Sequence, residues 1–145
     1  MWQFLFIAFI FVTVVAFLKL NQNSRRHASI DLSKKLSTGD DFRFPIVGES
    51  SYQAAIRHAV SQEGRHIPLR LVPEDTNPYD HHAVKVVYRG TTMGYLSRHD
   101  ARSLRQTVSD LGHEFTDVDC HGLAFGGTPE KPTFGIWLNI SIPKA

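Results

Sequence analysis

Apolar residues are spread unevenly along this chain. From Met1 to Leu18 there is no charge, and Gln3 and Thr13 are the clearly polar residues. As a helix at ~1.5 Å per residue this run is about 27 Å long, close to the hydrocarbon thickness of a bilayer. Lys19 then suits one headgroup layer and Trp2 the other. A cleaved signal peptide needs a positive start and a small-residue cleavage site. No charge precedes the run, and Phe17-Leu18-Lys19-Leu20 offers no such site. The pattern predicts an uncleaved N-terminal transmembrane helix over 1–20. Asn21 to Asp41 is polar, rich in Ser, Lys and Asn, and reads as a basic linker in which Leu32 and Leu36 mark a short helical turn.

Beyond residue 41 the period changes repeatedly. Phe42, Phe44 and Ile46 alternate, which predicts a strand ending at Gly48. Ser50, with Gln53 three residues on, has the spacing of a capping box. Tyr52, Ala55, Ile56, Ala59 and Val60 then recur at helical spacing up to Gly64. A strand follows over His66 to Val72, with Leu69 and Leu71 inward. Val84, Val86 and Tyr88 share one face of the next strand, and Arg89-Gly90 turns the chain into Thr91–Leu96. Ser97 caps a second helix with Ala101, Leu104, Val108 and Leu111 on its apolar stripe and Gly112 at its end. Arg98, Arg102 and Arg105 lie on another face of it. Phe115–Phe125 is a strand with Val118, Cys120, Gly122 and Ala124 to one side. Phe134, Ile136, Leu138, Ile140 and Ile142 give the cleanest alternation and predict a core strand. Six strands and two amphipathic helices make residues 42–145 an α+β domain on a small, closed sheet, with barrel and sandwich both open.

The connection between Val72 and Ala83 holds most of the turn chemistry. Asn77-Pro78 presets a turn, because proline fixes its own φ and biases the residue before it toward extended geometry. Asp80 is placed to accept from amides just downstream.

Charge narrows the function classes. The whole chain carries +2, but residues 1–41 hold 5 Lys/Arg and 3 Asp/Glu, and residues 42–145 hold 11 of each. The domain is therefore neutral, and nucleic acid would have to be held by a local patch rather than a basic field. The cationic excess, Lys19, Arg25, Arg26, Lys34 and Lys35, follows the apolar run. By the positive-inside rule it places the domain on the cytoplasmic side of the inner membrane, beside anionic lipid. The single cysteine, Cys120, forms no internal disulfide.

Leu71-Val72-Pro73-Glu74-Asp75-Thr76-Asn77-Pro78-Tyr79-Asp80-His81-His82-Ala83-Val84-Lys85-Val86, followed by Gly94-Tyr95-Leu96-Ser97-Arg98, resembles the HIRAN domain. That module is fused to chromatin-remodelling helicases and stands alone in many bacterial proteins. Gly48-Glu49-Ser50-Ser51-Tyr52 and Phe125-Gly126-Gly127 add to the resemblance, which spans Phe44 to Ile142. It implies a six-stranded OB-like β-barrel with two flanking helices that binds the 3′-hydroxyl end of single-stranded DNA. By the same resemblance Tyr52, Tyr79 and Phe125 match stacking aromatics, and Asp80 the acid that holds the terminal hydroxyl. Tyr95 stands where such relatives place a histidine, and Arg98 near a phosphate-binding lysine. Ser50 and Ser51 depart from an arginine and a tyrosine, which removes one phosphate contact and one stacking platform. A stack is worth ~1–3 kcal/mol. Arg102 and Arg105 extend the basic side of this candidate set, since guanidinium binds phosphate through paired donors.

Catalytic signatures are absent from the sequence. Gly48–Tyr52 lacks the second glycine of a G-x-S-x-G elbow. The histidines include no H-E-x-x-H, Cys120 has no C-x-x-C partner, and Asp75-x-Asn77 does not continue into a calcium loop. No Walker motif occurs. No cofactor and no metal are expected. The sequence points to a membrane-anchored, non-enzymatic module. Its first reading binds single-stranded or frayed nucleic acid; its alternative recruits a protein partner to the inner membrane surface.

Overall fold

The structure, a computed structural model, describes residues 2–142, with the side chains at 2–6, 8, 9, 29 and 30 excepted. Helix α1 runs over Trp2–Leu36. After it come β1 (Phe44–Pro45), a 3₁₀ turn (Glu49–Tyr52), α2 (Gln53–Glu63), β2 (His66–Pro73), β3 (Val84–Tyr88) and β4 (Thr91–Tyr95). Then follow α3 (Arg98–Asp110), β5 (Val118–Phe125) and β6 (Gly135–Leu138). The strands form one antiparallel sheet in the order β1-β6-β5-β2-β3-β4. It curls into a half-barrel consistent with an OB-like α+β fold.

Alternation decides which side of each strand is dry. Val84, Val86 and Tyr88 of β3 and Val118, Cys120 and Ala124 of β5 are buried, with Leu69 and Leu71 of β2 and Ile136 and Leu138 of β6. From the helices, Ile56 and Ala59 of α2 and Ala101, Leu104 and Val108 of α3 close the same core. The β3–β4 hairpin turns on Arg89 and Gly90, both with positive φ (45° and 86°), as a two-residue loop between twisted strands requires. Glu63 at the end of α2 ties down that hairpin, accepting from the Tyr88 hydroxyl at 2.7 Å and from Arg89 at 2.8 Å.

Two edges of the curled sheet meet at one point. Ile46 N–H reaches the Ile136 carbonyl (3.1 Å), and Val47 exchanges both backbone bonds with Tyr95 (2.8 and 2.9 Å). The segment leaving β1 therefore stitches the β6 side to β4. Closure is less complete than the expected barrel, because Gly48 takes φ 82° and turns the chain away after this single bridge. Gly94 permits the crossing: a Cβ there would lie 2.8 Å from the Val47 carbonyl oxygen and 2.9 Å from Ile46 Cδ1.

Several boundaries differ from the sequence expectation. The stretch 21–36, expected as a linker, is helical and continuous with α1, and Leu32 and Leu36 are 1% and 2% exposed. Docking on the sheet explains this: Ser33 Oγ accepts from Asp119 N–H, and Asp31 pairs with Lys35 one turn on. Beyond the helix, the buried Asn139 side chain accepts from His121 N–H (2.7 Å) and donates to the Gly39 carbonyl (2.8 Å). Ser50 is not a helix cap. It sits in the 3₁₀ turn, Tyr52 is the N-cap residue, and no side chain caps it. Gln53 instead pairs with both backbone groups of Phe134 (2.9 and 2.8 Å). Ser97 does cap α3, accepting from Asp100 N–H.

Among the described residues no helix is long and apolar enough to cross a membrane. Met1 and the side chains at 2–6, 8 and 9, part of the expected span, lie outside them. Ile7, Ile10, Phe11, Val12, Val14, Phe17, Leu18 and Leu20 are all exposed.

The close approach at Gly94 yields the first prediction. Gly94→Val should destabilise the full chain by about 1–3 kcal/mol, as overpacking does. A urea midpoint equal to wild type would show that the crossing is not as tight as described.

Candidate functional site

The loop between β2 and β3 is held by its own side chains. Asn77 Oδ1 accepts from the amides of Tyr79 (2.9 Å) and Asp80 (3.2 Å), and Asn77 Nδ2 donates to Glu74 Oε2 (2.7 Å). Asp80 Oδ1 accepts from His82 N–H at 2.9 Å, and Glu74 N–H and the Ala83 carbonyl pair at 2.9 Å. Arg105 staples the loop from α3: its guanidinium donates to the carbonyls of His82 (2.9 Å) and Ala83 (3.0 Å) and pairs with Asp75 (2.8 Å). These bonds hold the loop backbone at Tyr79 and leave the residue 84% exposed. A backbone already pinned has little freedom left to lose on binding, so only the side-chain rotamers of Tyr79 remain to be ordered.

Beside it lies an open cleft of about 530 Å³, lined by Tyr52, Glu74, Asn77, Tyr79, Asp80, Tyr95 and Arg98 among others. Tyr52 and Tyr95 contact each other, ring centroids 6.3 Å apart and planes tilted by 50°. Burial, with hydrogen bonds to Tyr52 and the Glu74 carboxylate, pushes the Tyr95 hydroxyl up to about 12, so it is a neutral donor at any physiological pH. The Asp80 side chain is 9% exposed. The His82 amide, then the charges of Arg102, His82 and Arg98, hold its carboxyl below the usual carboxylate range. Glu74 is held low as well, first by Asn77, then by Tyr95 and Lys85. The cleft thus has two ionised carboxylates at its floor, tyrosines on its walls and Arg98 at its rim.

Five of the eight sequence-derived candidates, Tyr52, Tyr79, Asp80, Tyr95 and Arg98, come together here. Arg102 borders a neighbouring hollow with His82 and His113, and its charge still reaches Asp80. Arg105 spends its donors on the loop and lies over the Phe115 ring, so it builds the site rather than facing it. Phe125 is not part of the cleft lining. It sits at the end of β5, edge-on to Trp137 at 5.5 Å. Sequence reasoning missed Val47, Glu74 and Leu96 as cleft residues; Val47 reaches the cleft only because of the bridge to Tyr95. Cys120, expected to be core, is 7% exposed, and burial pushes its thiol up to about 12, which leaves it a poor nucleophile.

A protein-family model described as HIRAN domain matches residues 40–119, more than half of the 145-residue chain, and the chain belongs to that family. No curated protein and no solved structure matches it. HIRAN domains are generally nucleic-acid-binding modules. The matched segment contains the whole cleft lining and ends before Phe125 and Trp137.

The lowered Asp80 carboxyl gives a pH prediction. A folded-state value below the unfolded one adds stability above the unfolded value of ~3.9, lost as pH falls through the folded value. Asp80→Asn keeps an oxygen acceptor for His82 N–H but cannot titrate. Its unfolding midpoint should therefore depend less on pH between about 5 and 2 than that of wild type. Parallel acid limbs for the two proteins would show that Asp80 carries no such linkage.

Proposed function

We propose that this HIRAN domain binds single-stranded or frayed nucleic acid in the tyrosine cleft, with a terminal nucleotide as the group it encloses. The observation that carries this reading is the exposed Tyr79 ring on a loop pinned by Asn77 and Arg105, facing Tyr52, Tyr95 and Asp80. Tyrosine faces suit any base, since every base has a π-face. The floor carboxylates Asp80 and Glu74 repel phosphate and accept from hydroxyl or amino groups, which supports a sugar hydroxyl at the Asp80 end. Arg98 at the rim supports one phosphate contact. The arrangement favours binding over catalysis, because the site's tyrosine donor and carboxylates are tuned away from proton transfer near neutral pH.

A few contacts rather than a field should set the affinity. Tyr79→Ala should weaken oligonucleotide binding by ~1–3 kcal/mol with an almost unchanged salt slope, because stacking releases no counterions. Arg98→Ala should weaken all sequences alike and flatten the slope by about one contact. Asp80→Ala separates two modes. A site that grips a terminal hydroxyl loses its preference for a free over a blocked 3′ end, whereas a site that only tracks backbone binds slightly tighter. If wild-type chain binds no oligonucleotide at low salt, the reading is lost and recruitment of a protein partner takes its place.

The N-terminal anchor and its orientation belong to the same proposal. Apolar residues exposed on every side of α1 from Ile7 to Leu20 support it, as a helix apolar all round is stable only in a core or a membrane. A C-terminal reporter active only outside the cytoplasm should stay silent on the full chain, and its activity would reverse the orientation.

A further inference from the structure

The hollow next to the cleft, of about 560 Å³, is built from three segments. Helix α3 supplies Arg102, Arg105 and Gln106, which share one face at i, i+3 and i+4 spacing. The β2–β3 loop supplies His82, and the chain after α3 supplies His113, Glu114 and Phe115. Arg105 is held in place by the loop carbonyls, by Asp75 and by the Phe115 ring, 5.7 Å from its guanidinium carbon. Arg102 is exposed, and no ion pair among the described residues includes it. A carboxylate stands beside each imidazole. His82 Nδ1 is 3.7 Å from Asp80 Oδ1, and His113 Nε2 is 3.8 Å from Asp31 Oδ2 of α1. The other ring nitrogen of each is left for a ligand.

Charge around the hollow is balanced while both imidazoles are neutral. Asp75 pairs with Arg105, and Asp31 with Lys35 at 2.9 Å, with the charge of Lys34 also acting on Asp31. Asp80 feels the charges of Arg102 and Arg98, Glu114 shares the lining, and Asp110 accepts from Gln106 at 2.8 Å. These cations and carboxylates are equal in number. Each proton taken up by His82 or His113 therefore adds an unbalanced positive charge and a second donor.

We propose that this hollow is an anion site distinct from the cleft, which takes a phosphate group and holds it more tightly as His82 and His113 become protonated. Arg102 offers paired donors that nothing else uses, and the imidazoles add charge from two other segments. The site does not depend on nucleic acid in the cleft. Its volume leaves room for the sugar or base that carries a phosphate, so a bound strand and free phosphate are two sources of the same group.

Sulfate is the probe, because inorganic phosphate itself loses charge over the range in which histidine titrates. The backbone amide of Gln106, followed by NMR on the full chain, reports binding in every variant. Sulfate should shift it with about tenfold higher affinity at about pH 5.5 than at about pH 7.5, and chloride at equal ionic strength should not. Arg102→Ala should weaken sulfate about tenfold at both pH values; Arg102→Lys, which keeps the charge but not the paired donors, should lose less. The double variant His82→Gln, His113→Gln should bind equally at both pH values, at the weaker wild-type level. Unchanged affinity in Arg102→Ala, a pH dependence that survives in the double variant, or a shift that chloride reproduces overturns the proposal. A deoxythymidine pentamer separates the sources. If it displaces sulfate, the phosphate is a strand's; if sulfate stays bound beside it, the site serves free phosphate. Tyr79→Ala should leave the sulfate titration unchanged. A chain that binds sulfate as described but no oligonucleotide therefore keeps this site and loses the cleft reading.

Discussion

The single backbone bridge between Val47 and Tyr95 is the constraint on which the candidate site depends. It draws the chain leaving β1 across to β4, and the 3₁₀ turn that follows then sets Tyr52 against Tyr95. Without it the sheet would be an open curl, and the two tyrosines would lie on separate edges. The bridge is possible because Gly94 has no side chain where the Val47 carbonyl passes. One glycine on a buried strand thus determines whether a cleft exists, although it contributes nothing to the lining.

Local electrostatics then decide what such a cleft can hold. The domain has as many acids as bases, so long-range attraction to a polyanion is weak. Within the cleft the floor is acidic, through Glu74 and Asp80, while Arg98 and Arg102 stand nearby. A phosphate is favoured only at the rim, and groups with hydrogens to donate are favoured below it. Three arginines at helical spacing look equivalent along the sequence, yet they divide the work. Arg98 borders the cleft, Arg102 tunes Asp80, and Arg105 holds the loop that presents Tyr79.

What the sequence made legible was whatever depends on neighbours a few residues away. Alternation placed all six strands, and Asp80 and Ser97 make the turn and cap bonds their side chains suggest. What stayed hidden depends on partners far along the chain. Ser50 has capping-box spacing, but Gly48 turns the backbone into a 3₁₀ turn and Gln53 finds Phe134 instead. The polar stretch 21–36 reads as linker because its two apolar positions, Leu32 and Leu36, are few; their partners come from β5 and the chain after β6.

The helical continuity of α1 also changes how the domain would relate to any surface its N-terminus enters. A flexible tether of some twenty residues would let the domain sample many orientations. Here the last turns of α1 are packed into the core through Leu32 and Leu36, and the chain beyond is bonded to Asn139 and Ile140. The helix leaves the body in a defined direction, with Asp31 near both Lys35 and His113 at the junction. Its exposed apolar half, from Ile7 to Leu20, continues the helix that docks on the sheet, so it is joined to the domain by helix rather than by a flexible tether.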